Sequence, residues 1–201
     1  MANTLNQKED RKLKTKDLIY AGAFCAIYLV IMLLIVMACG SVPILYFMAP
    51  LFVGVVDGTV YMLYAMKVHK FGAVLILGIL FALITSSSVW YSLCLALVAA
   101  LAAELILKAG NYTSKKLYVL SYIVFNINMA APTLMLMIDR NRFFAMSETY
   151  YGQNYAAAQS ALVGTGPFWL FILCGALVGG LLGALLATRL IGKHFKRAGI
   201  L

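Results

Sequence analysis

Long apolar runs, separated by short polar or charged segments, occupy nearly all of this 201-residue chain. A helix that crosses the hydrocarbon core of a bilayer, about 30 Å thick, needs about 20 mostly apolar residues. Within that core the chain must satisfy its own backbone hydrogen bonds, which a helix does inside one segment. The runs therefore predict six membrane-spanning helices, at about residues 17–40, 47–66, 71–87, 89–107, 117–138 and 167–191.

The composition excludes a soluble domain. Hydrophobic residues make up 64% of the chain and charged residues 11%, whereas about 25% of an average soluble domain is charged. We expect an all-α integral membrane protein whose six-helix transmembrane domain, residues 17–192, lies between a basic segment at 1–16 and a basic tail at 193–201. The net charge of +9 comes from clusters at the ends of the apolar runs. Such clusters are typical of contact with a lipid bilayer, so no nucleic-acid partner is expected.

The distribution of cations predicts the orientation in the membrane. Only Arg140 and Arg142 fall in one set of connecting segments, and the other 14 of the 16 cations fall in the alternate set. Lys and Arg are in excess on the cytoplasmic side of membrane proteins. Both termini are therefore predicted to be cytoplasmic. The cytoplasmic cations would be Lys8, Arg11, Lys12, Lys14, Lys16, Lys67, Lys70, Lys108, Lys115, Lys116, Arg189, Lys193, Lys196 and Arg197.

The longest predicted connection, residues 139–166, would then lie outside. It is rich in tyrosine and phenylalanine, unlike disordered segments, and it exceeds the usual length of a plain loop. Asn154 to Leu162 fits a short helix on the surface. Two readings stay open: an aromatic belt at the membrane interface, or a lid over an outward-facing pocket.

The lid reading assigns candidate ligand contacts. Arg140 or Arg142 would meet an anionic group, since arginine grips carboxylate or phosphate in a forked geometry. Aromatic faces suit a flat ring, and the candidates for stacking are Tyr150, Tyr151 and Trp90.

Polar side chains within the predicted spans form a second group of candidates. Asp57 lies near the middle of span two, and Asn126 and Asn128 lie in span five at comparable depth, just before Pro132. A lone carboxylate at that depth costs at least ~2.5 kcal/mol. The three side chains form either an interhelical hydrogen-bond cluster or the polar floor of a pocket.

One acidic residue near a predicted span end has a simpler interpretation. Glu104 precedes Lys108 by four residues, which is the favourable order for an ion pair on one helix face. The sequence predicts a solvated pair at the membrane interface.

Small residues recur at four-residue spacing in two spans, which allows close helix approach. In span six, this pattern predicts packing within the bundle and comprises Gly175, Gly179, Gly183 and Ala187. In span one, Gly22 and Ala26 have this spacing, with Ala21 and Cys25 beside them. The span-one residues pack either within the bundle or against a separate membrane subunit.

Several kinds of chemistry are not encoded. The sequence contains no P-loop, no zinc-protease motif and no nucleophile elbow, which argues against ATP hydrolysis and known hydrolase chemistry. The four cysteines lie in separate apolar runs without a neighbouring histidine, so neither a metal nor another cofactor is expected. An intramembrane enzyme that uses Asp57 would lack a second acid or base.

Taken together, these features resemble a known family. Six spans in about 200 residues, the basic lead-in "RKLKTKDLIYAGAFCAIY" and a long outer connection before span six are similar to the substrate-binding S components of energy-coupling factor (ECF) transporters. Within these, the chain most resembles the Trep_Strep family of bacterial membrane proteins.

The resemblance implies a function without enzymatic activity. An S component in the bacterial plasma membrane binds a vitamin or other micronutrient from outside and delivers it with a transmembrane coupling subunit and two ATPase subunits. Its first helix docks on the coupling subunit through small residues, which match Gly22 and Ala26, or Ala21 and Cys25, in this chain. The alternatives are a structural or assembly partner that uses the span-six stripe, and the enzyme that uses Asp57.

Overall fold

The protein is all-helical in a computed structural model, which describes residues 13–164 and 166–192. Most of the predicted basic segment 1–16 and all of the tail 193–201 lie outside the described residues. In chain order the α-helices are α1 Thr15–Gly40, α2 Pro43–Lys67, α3 Ala73–Ser86, α4 Trp90–Ala109, α5 Lys115–Phe125, α6 Met135–Ile138, α7 Arg140–Tyr151, α8 Gln153–Val163 and α9 Phe168–Leu190. Two short 3-10 segments, Asn126–Ala130 and Pro132–Leu134, join α5 to α6.

Helix length gives four to five candidate spans within the described ranges. Helices α1, α2, α4 and α9 are long and apolar enough to cross a membrane, and the bent series from α5 to α6 would be a fifth span. Helix α3 occupies the third predicted span but has 14 residues. It is therefore about 21 Å long, shorter than the hydrocarbon core of about 30 Å. The multi-pass helical prediction is confirmed, whereas the predicted count of six is not established.

The fifth predicted span bends by 51° at Ala131, between the two 3-10 segments. Pro132 has no N–H to donate and its ring clashes with the preceding turn, which breaks an α-helix. The carbonyls freed near the break find other donors. Ala130 O accepts from Trp169 Nε1 at 3.0 Å and from Thr133 Oγ1 at 2.9 Å. The bend is thus stabilised by side chains, as irregular backbone at membrane depth requires.

Helices α2 and α9 pack with their backbones in contact, and we call this contact the α2–α9 seam. A Cβ atom added to Gly58 would lie 2.5 Å from the carbonyl carbon of Gly183, and one added to Gly179 would lie 2.5 Å from Leu51 O. Only glycine fits at such distances. The span-six stripe therefore packs within the bundle, as its four-residue spacing predicts.

The connections of the bundle lie at two ends. At one end, Lys70 Nζ in the α2–α3 connection lies 2.8 Å from Asp17 Oδ2 in the first turn of α1. The other described cations of the predicted cytoplasmic set flank the helix ends on this side, and Arg140 and Arg142 begin α7 at the opposite end. We call these the cation-rich and the cation-poor end. Their separation fits the predicted topology, although the side that faces the cytoplasm remains a prediction.

Glu104 has a role that the sequence did not indicate. Its carboxylate is fully buried and accepts from the backbone N–H of Leu75 at 3.0 Å and from Tyr112 Oη at 2.6 Å. Lys108 instead lies over the ring of Phe71, 4.7 Å from its centroid. A carboxylate is favoured at a helix N-terminus, where N–H groups lack partners. Glu104 therefore caps α3 rather than forming the predicted solvated pair.

Candidate functional site

The predicted outer loop is a pair of helices, α7 and α8, which we call the covering hairpin (residues 140–163). Asp139 Oδ1 accepts from the backbone N–H of Arg142 at 3.2 Å and so caps α7. Gly152, with a φ of 89°, makes the turn between the two helices. Helix α8 includes all of the predicted surface helix at Asn154 to Leu162. The segment is thus ordered by its own caps and turn.

The covering hairpin is closed by polar contacts within itself. The Arg140 guanidinium donates to Gly164 O at the end of α8, where a cation is favoured by the helix dipole. Ser147 Oγ lies 2.5 Å from Gln159 Oε1, and both side chains are buried between the two helices. These contacts join α7 to α8 at more than one point along the pair.

Aromatic contacts hold the covering hairpin on the cation-poor end of the bundle. Tyr155 Oη donates to Gly40 O at 2.7 Å, and the Tyr151 ring stacks on Tyr155 at 4.6 Å between centroids. Tyr151 also meets Tyr46 of α2 edge to face at 6.1 Å. Burial raises the pKa of Tyr155 to about 12, so its hydroxyl stays protonated and able to donate even above the usual tyrosine pKa of about 10. The hairpin is thereby tied to the α1–α2 connection.

A cavity of about 170 Å³ lies directly beneath α7. Its wall is rich in hydroxyl groups and aromatic rings, and none of the described residues that line it carries a charge. The lining side chains are Tyr46, Thr85, Ser86, Ser88, Val89, Ser92, Pro132, Met135, Phe143, Met146, Ser147, Tyr150 and Tyr151. They come from α2, from the end of α3 through the turn to the start of α4, from the bend and the start of α6, and from α7. The site is therefore assembled at the point where four segments of the cation-poor end meet.

Ser92 is the most informative residue in this wall. It is fully buried, and its hydroxyl has no hydrogen-bond partner among the described residues. The neighbouring Ser86 hydroxyl, in contrast, lies 3.2 Å from Thr85 Oγ1. Buried hydroxyls are rarely left without partners in folded proteins. The unpaired Ser92 hydroxyl is therefore a candidate hydrogen-bond partner for a molecule in the cavity.

A second cavity of about 230 Å³ adjoins the first. The two share Tyr46, Thr85, Pro132 and Tyr151 in their walls. The remaining wall of the second cavity is mostly apolar and comes from α1, α2, α3 and the bend; it is lined by Met32, Leu33, Val36, Ala49, Pro50, Ile84, Met129 and Thr133. The pair thus has a hydroxyl-rich part and an apolar part.

Of the predicted ligand contacts, the structure brings Tyr150 and Tyr151 to the cavities. Tyr150 lines the first cavity and Tyr151 lines both. Trp90 lines neither cavity: it is 74% exposed and its ring meets Tyr91 at 5.6 Å. The aromatic part of the lid hypothesis therefore has a geometric basis at the two tyrosines.

The predicted arginine contacts have a different placement. Arg140 bonds Gly164 and lies over the Phe144 ring, 5.8 Å from its centroid. Arg142 is exposed, and neither arginine lines either cavity. Arg140 instead lines a separate cavity of about 380 Å³ between α6, α8 and the start of α9. The predicted contact between an arginine and an anionic ligand group stays a prediction.

The intramembrane amides lie away from the cavities. Asn126 Nδ2 donates to Pro50 O at 3.1 Å and to Ala176 O at 2.6 Å, which joins α2 to α9. Asn128 Nδ2 donates locally, to Phe125 O at 2.7 Å. Neither amide lines the first or the second cavity. The contacts of the two amide nitrogens match the interhelical and local bonding role, while both amide oxygens lack a partner among the described residues. The pocket-floor alternative stays a prediction.

Asp57 is fully buried, and neither of its carboxylate oxygens has a hydrogen-bond partner in the part of the chain that the structure describes. It lines neither cavity. The described residues contain no group of three His, Cys, Asp or Glu side chains that could hold a metal ion.

The small residues of α1 divide into two faces. Ala21 and Cys25 are buried within the bundle, whereas Gly22 and Ala26 are exposed. Nothing lies within 4 Å of a Cβ atom added to Gly22. Of the two pairs that the sequence offered for docking, Gly22 and Ala26 alone present a free surface on this chain.

Sequence reasoning missed the hydroxyl wall. The stretch from Thr85 to Ser92, "TSSSVWYS", reads as an interfacial turn. Four of its hydroxyl residues, Thr85, Ser86, Ser88 and Ser92, line the first cavity. The available signal was the density of hydroxyls in a chain that is otherwise 64% hydrophobic.

Comparison with known proteins gives a family match. The model of a family described as a hypothetical bacterial integral membrane protein (Trep_Strep) matches residues 15–197. No curated protein and no solved structure matches the chain.

Proposed function

The chain belongs to the Trep_Strep family of bacterial integral membrane proteins, and on this premise we propose that it is the substrate-binding subunit of an ATP-driven uptake transporter, an S component of the ECF type. It captures a vitamin-like micronutrient from outside the plasma membrane and delivers it inward. The observation that carries the proposal is the pair of adjoining cavities beneath the covering hairpin.

The location of the cavities supports capture from outside. They lie at the cation-poor end, opposite the connections that hold Lys67, Lys70 and Lys108. Since cations are in excess on the cytoplasmic side, the cation-poor end faces outward. A ligand then reaches the site past the covering hairpin. This arrangement assumes the predicted topology, with six membrane spans and both termini in the cytoplasm.

The energy for uptake comes from partners in this proposal. The sequence contains no P-loop, so ATP is hydrolysed by two separate ATPase subunits that act through a transmembrane coupling subunit. The exposed Gly22 and Ala26 face of α1 supports docking, because small residues allow another helix to approach closely. No cofactor and no catalytic step is needed.

The two alternatives have less support. An assembly partner that docks through the span-six stripe needs a free stripe, but Gly179 and Gly183 are buried against α2. An enzyme that uses Asp57 needs a second acid, base or metal near it, and the described residues offer no metal-binding cluster.

The binding role is tested at Tyr150, which is 74% exposed and lines the first cavity. The native small molecule is first identified by mass spectrometry of the purified protein. Tyr150→Ala should then weaken its binding, measured by calorimetry, by about 1–3 kcal/mol, the scale for losing an aromatic contact or hydrogen bond in a site. The exposure of Tyr150 leaves folding unaffected.

The matched control is Trp90→Ala, which removes an equally exposed aromatic residue that lines neither cavity. The affinity of this control variant for the native small molecule should equal that of the wild type. Equal affinity in Tyr150→Ala as well would contradict a binding site beneath α7, and so would a purified protein that carries no small molecule and binds none of the vitamins offered.

Orientation is tested by labelling single cysteines in a background without the four native ones. Ala158 in α8 and Lys116 at the start of α5 are both exposed and lie at opposite ends of the bundle. In intact cells, Ala158→Cys should react with a membrane-impermeant maleimide and Lys116→Cys should not, because cation-rich segments face the cytoplasm. Both should react after the cells are permeabilised. The reverse pattern in intact cells would invert the topology.

A further inference from the structure

We infer that the two cavities form a single site for an uncharged, amphipathic small molecule, with its hydrogen-bonding end in the first cavity and its apolar end in the second. The inference rests on the proposed function and narrows its substrate class. It differs from the anionic ligand that the arginines of the outer segment suggest.

The first reason is the absence of charge around the site. The described residues that line either cavity include no Lys, Arg, His, Asp or Glu. A charged group that enters an apolar site without a partner loses its hydration and gains no compensating ion pair. Arg140 supplies no such partner in this arrangement, because it lies outside the walls of both cavities and lines a separate one.

The second reason is the kind of polar group that the first cavity offers. A serine hydroxyl both donates and accepts hydrogen bonds, which suits neutral carbonyl, amide or hydroxyl groups on a ligand. The buried Ser92 hydroxyl has no partner within the described part of the chain and lies in this wall. Ser86 and Ser88 line the same wall from the preceding turn. The ligand is therefore expected to bond this serine cluster.

The third reason is the contrast between the two cavities. Met32, Val36 and Met129 make the second cavity mostly apolar. Leu33 and Ile84, in the same wall, are 40% and 50% exposed, so the apolar end of the site reaches the outer surface of the bundle. A ligand that spans both cavities needs a polar end and an apolar end.

Size and continuity support one site rather than two. The volumes are about 170 and 230 Å³, and each is smaller than the ~300–1,000 Å³ of typical ligand pockets. Tyr46, Thr85 and Tyr151 belong to both walls. Joined across these side chains, the cavities fall within the range for a small ligand, with tyrosine rings beside its middle.

The test compares two dyes that share one skeleton. N-phenyl-1-naphthylamine is neutral, and 8-anilino-1-naphthalenesulfonate carries one sulfonate on the same rings. Each is titrated by fluorescence against the full chain in lipid nanodiscs, and protein-free nanodiscs provide the blank. The neutral dye should bind saturably and at least about tenfold more tightly than the sulfonate, which corresponds to about 1.4 kcal/mol.

A matched pair of variants locates the binding. Ser88 and Ser87 are neighbours and both are exposed, but only Ser88 lines the first cavity. Ser88→Phe fills the cavity and should weaken binding of the neutral dye by about tenfold or more. Ser87→Phe should leave it unchanged. Size-exclusion chromatography verifies that both variants stay folded.

The outcomes separate the inference from the proposed function. Equal or tighter binding of the sulfonate, with Ser88→Phe still effective, would overturn the uncharged class and leave the proposed binding role intact. Binding of the neutral dye that Ser88→Phe does not weaken would overturn the location of the site. Absence of saturable binding by either dye would overturn this inference, and the ligand test at Tyr150 would then decide the proposed function independently.

Discussion

Gly183→Ala should strongly destabilise the protein, because a side chain at this position collides with the backbone of α2. The Cβ atom would overlap with Gly54 O and would lie 3.1 Å from Val55 O. Backbone atoms cannot move aside as a flexible side chain does, so the two helices must separate. We expect a loss near or above the upper end of the ~1–3 kcal/mol range for overpacking. Thermal unfolding in detergent, followed by circular dichroism, measures it.

Gly175→Ala provides the matched control on the same stripe of α9. Its Cβ atom would lie 3.9 Å from Leu51 Cβ, an ordinary van der Waals contact. Alanine is favoured over glycine in a helix interior by about 1 kcal/mol, so this variant should be as stable as the wild type or slightly more so. If Gly183→Ala unfolds at the same temperature as Gly175→Ala, the α2–α9 seam does not have the described close contact.

In the proposed transporter, Gly22→Trp should abolish assembly with the coupling subunit while leaving the isolated protein folded and able to bind its ligand. No atom of the described chain lies within 4 Å of a Cβ atom added to Gly22, which is on the exposed face of α1. A partner helix that approaches the Gly22 and Ala26 face closely would meet the indole ring directly. The measurement is co-purification of the tagged chain with the coupling and ATPase subunits, expressed together.

Val98→Trp is the control for this second variant, because Val98 is 63% exposed on α4 and also faces outward from the bundle. It should co-purify as the wild type does. Assembly that survives Gly22→Trp and Ala26→Trp would show that α1 does not dock through its small residues. Loss of assembly in Val98→Trp as well would indicate a general effect of added bulk.

The sequence predicted those features that depend on hydrophobic length and on small-residue spacing. Apolar runs of about 20 residues have few alternatives to a helix in a bilayer, which is why the helical membrane architecture was predictable. The spacing of Gly179 and Gly183 likewise allows close backbone approach whatever the partner is. The short helix at Asn154 to Leu162 follows from local helix preference alone.

Features that depend on which helices are neighbours were not predictable. Glu104 has a helical ion-pair partner four residues away, but the unsatisfied N–H groups of α3 and the Tyr112 hydroxyl lie closer in space. The contact of Arg140 with Gly164 O was hidden in the sequence, because the two residues are 24 positions apart. The hydroxyl wall was missed for the same reason, since Ser92 faces α7 only after the covering hairpin folds back over the bundle.

The residues that hold the bundle together at the α2–α9 seam are different from the residues that line the two cavities. Backbone atoms of α2 and α9 meet at the seam, so a side chain added at Gly54, Gly58 or Gly183 has no space to occupy. The fold therefore requires glycine at these positions. None of them lines either cavity. Cavity residues such as Ser88, by contrast, contribute side chains that can change in size and polarity while the bundle stays intact. In the proposed binding role, substitutions in the cavity walls can therefore change the ligand without changing the fold, and a library randomised at those positions retains folded members from which new binding specificities can be selected.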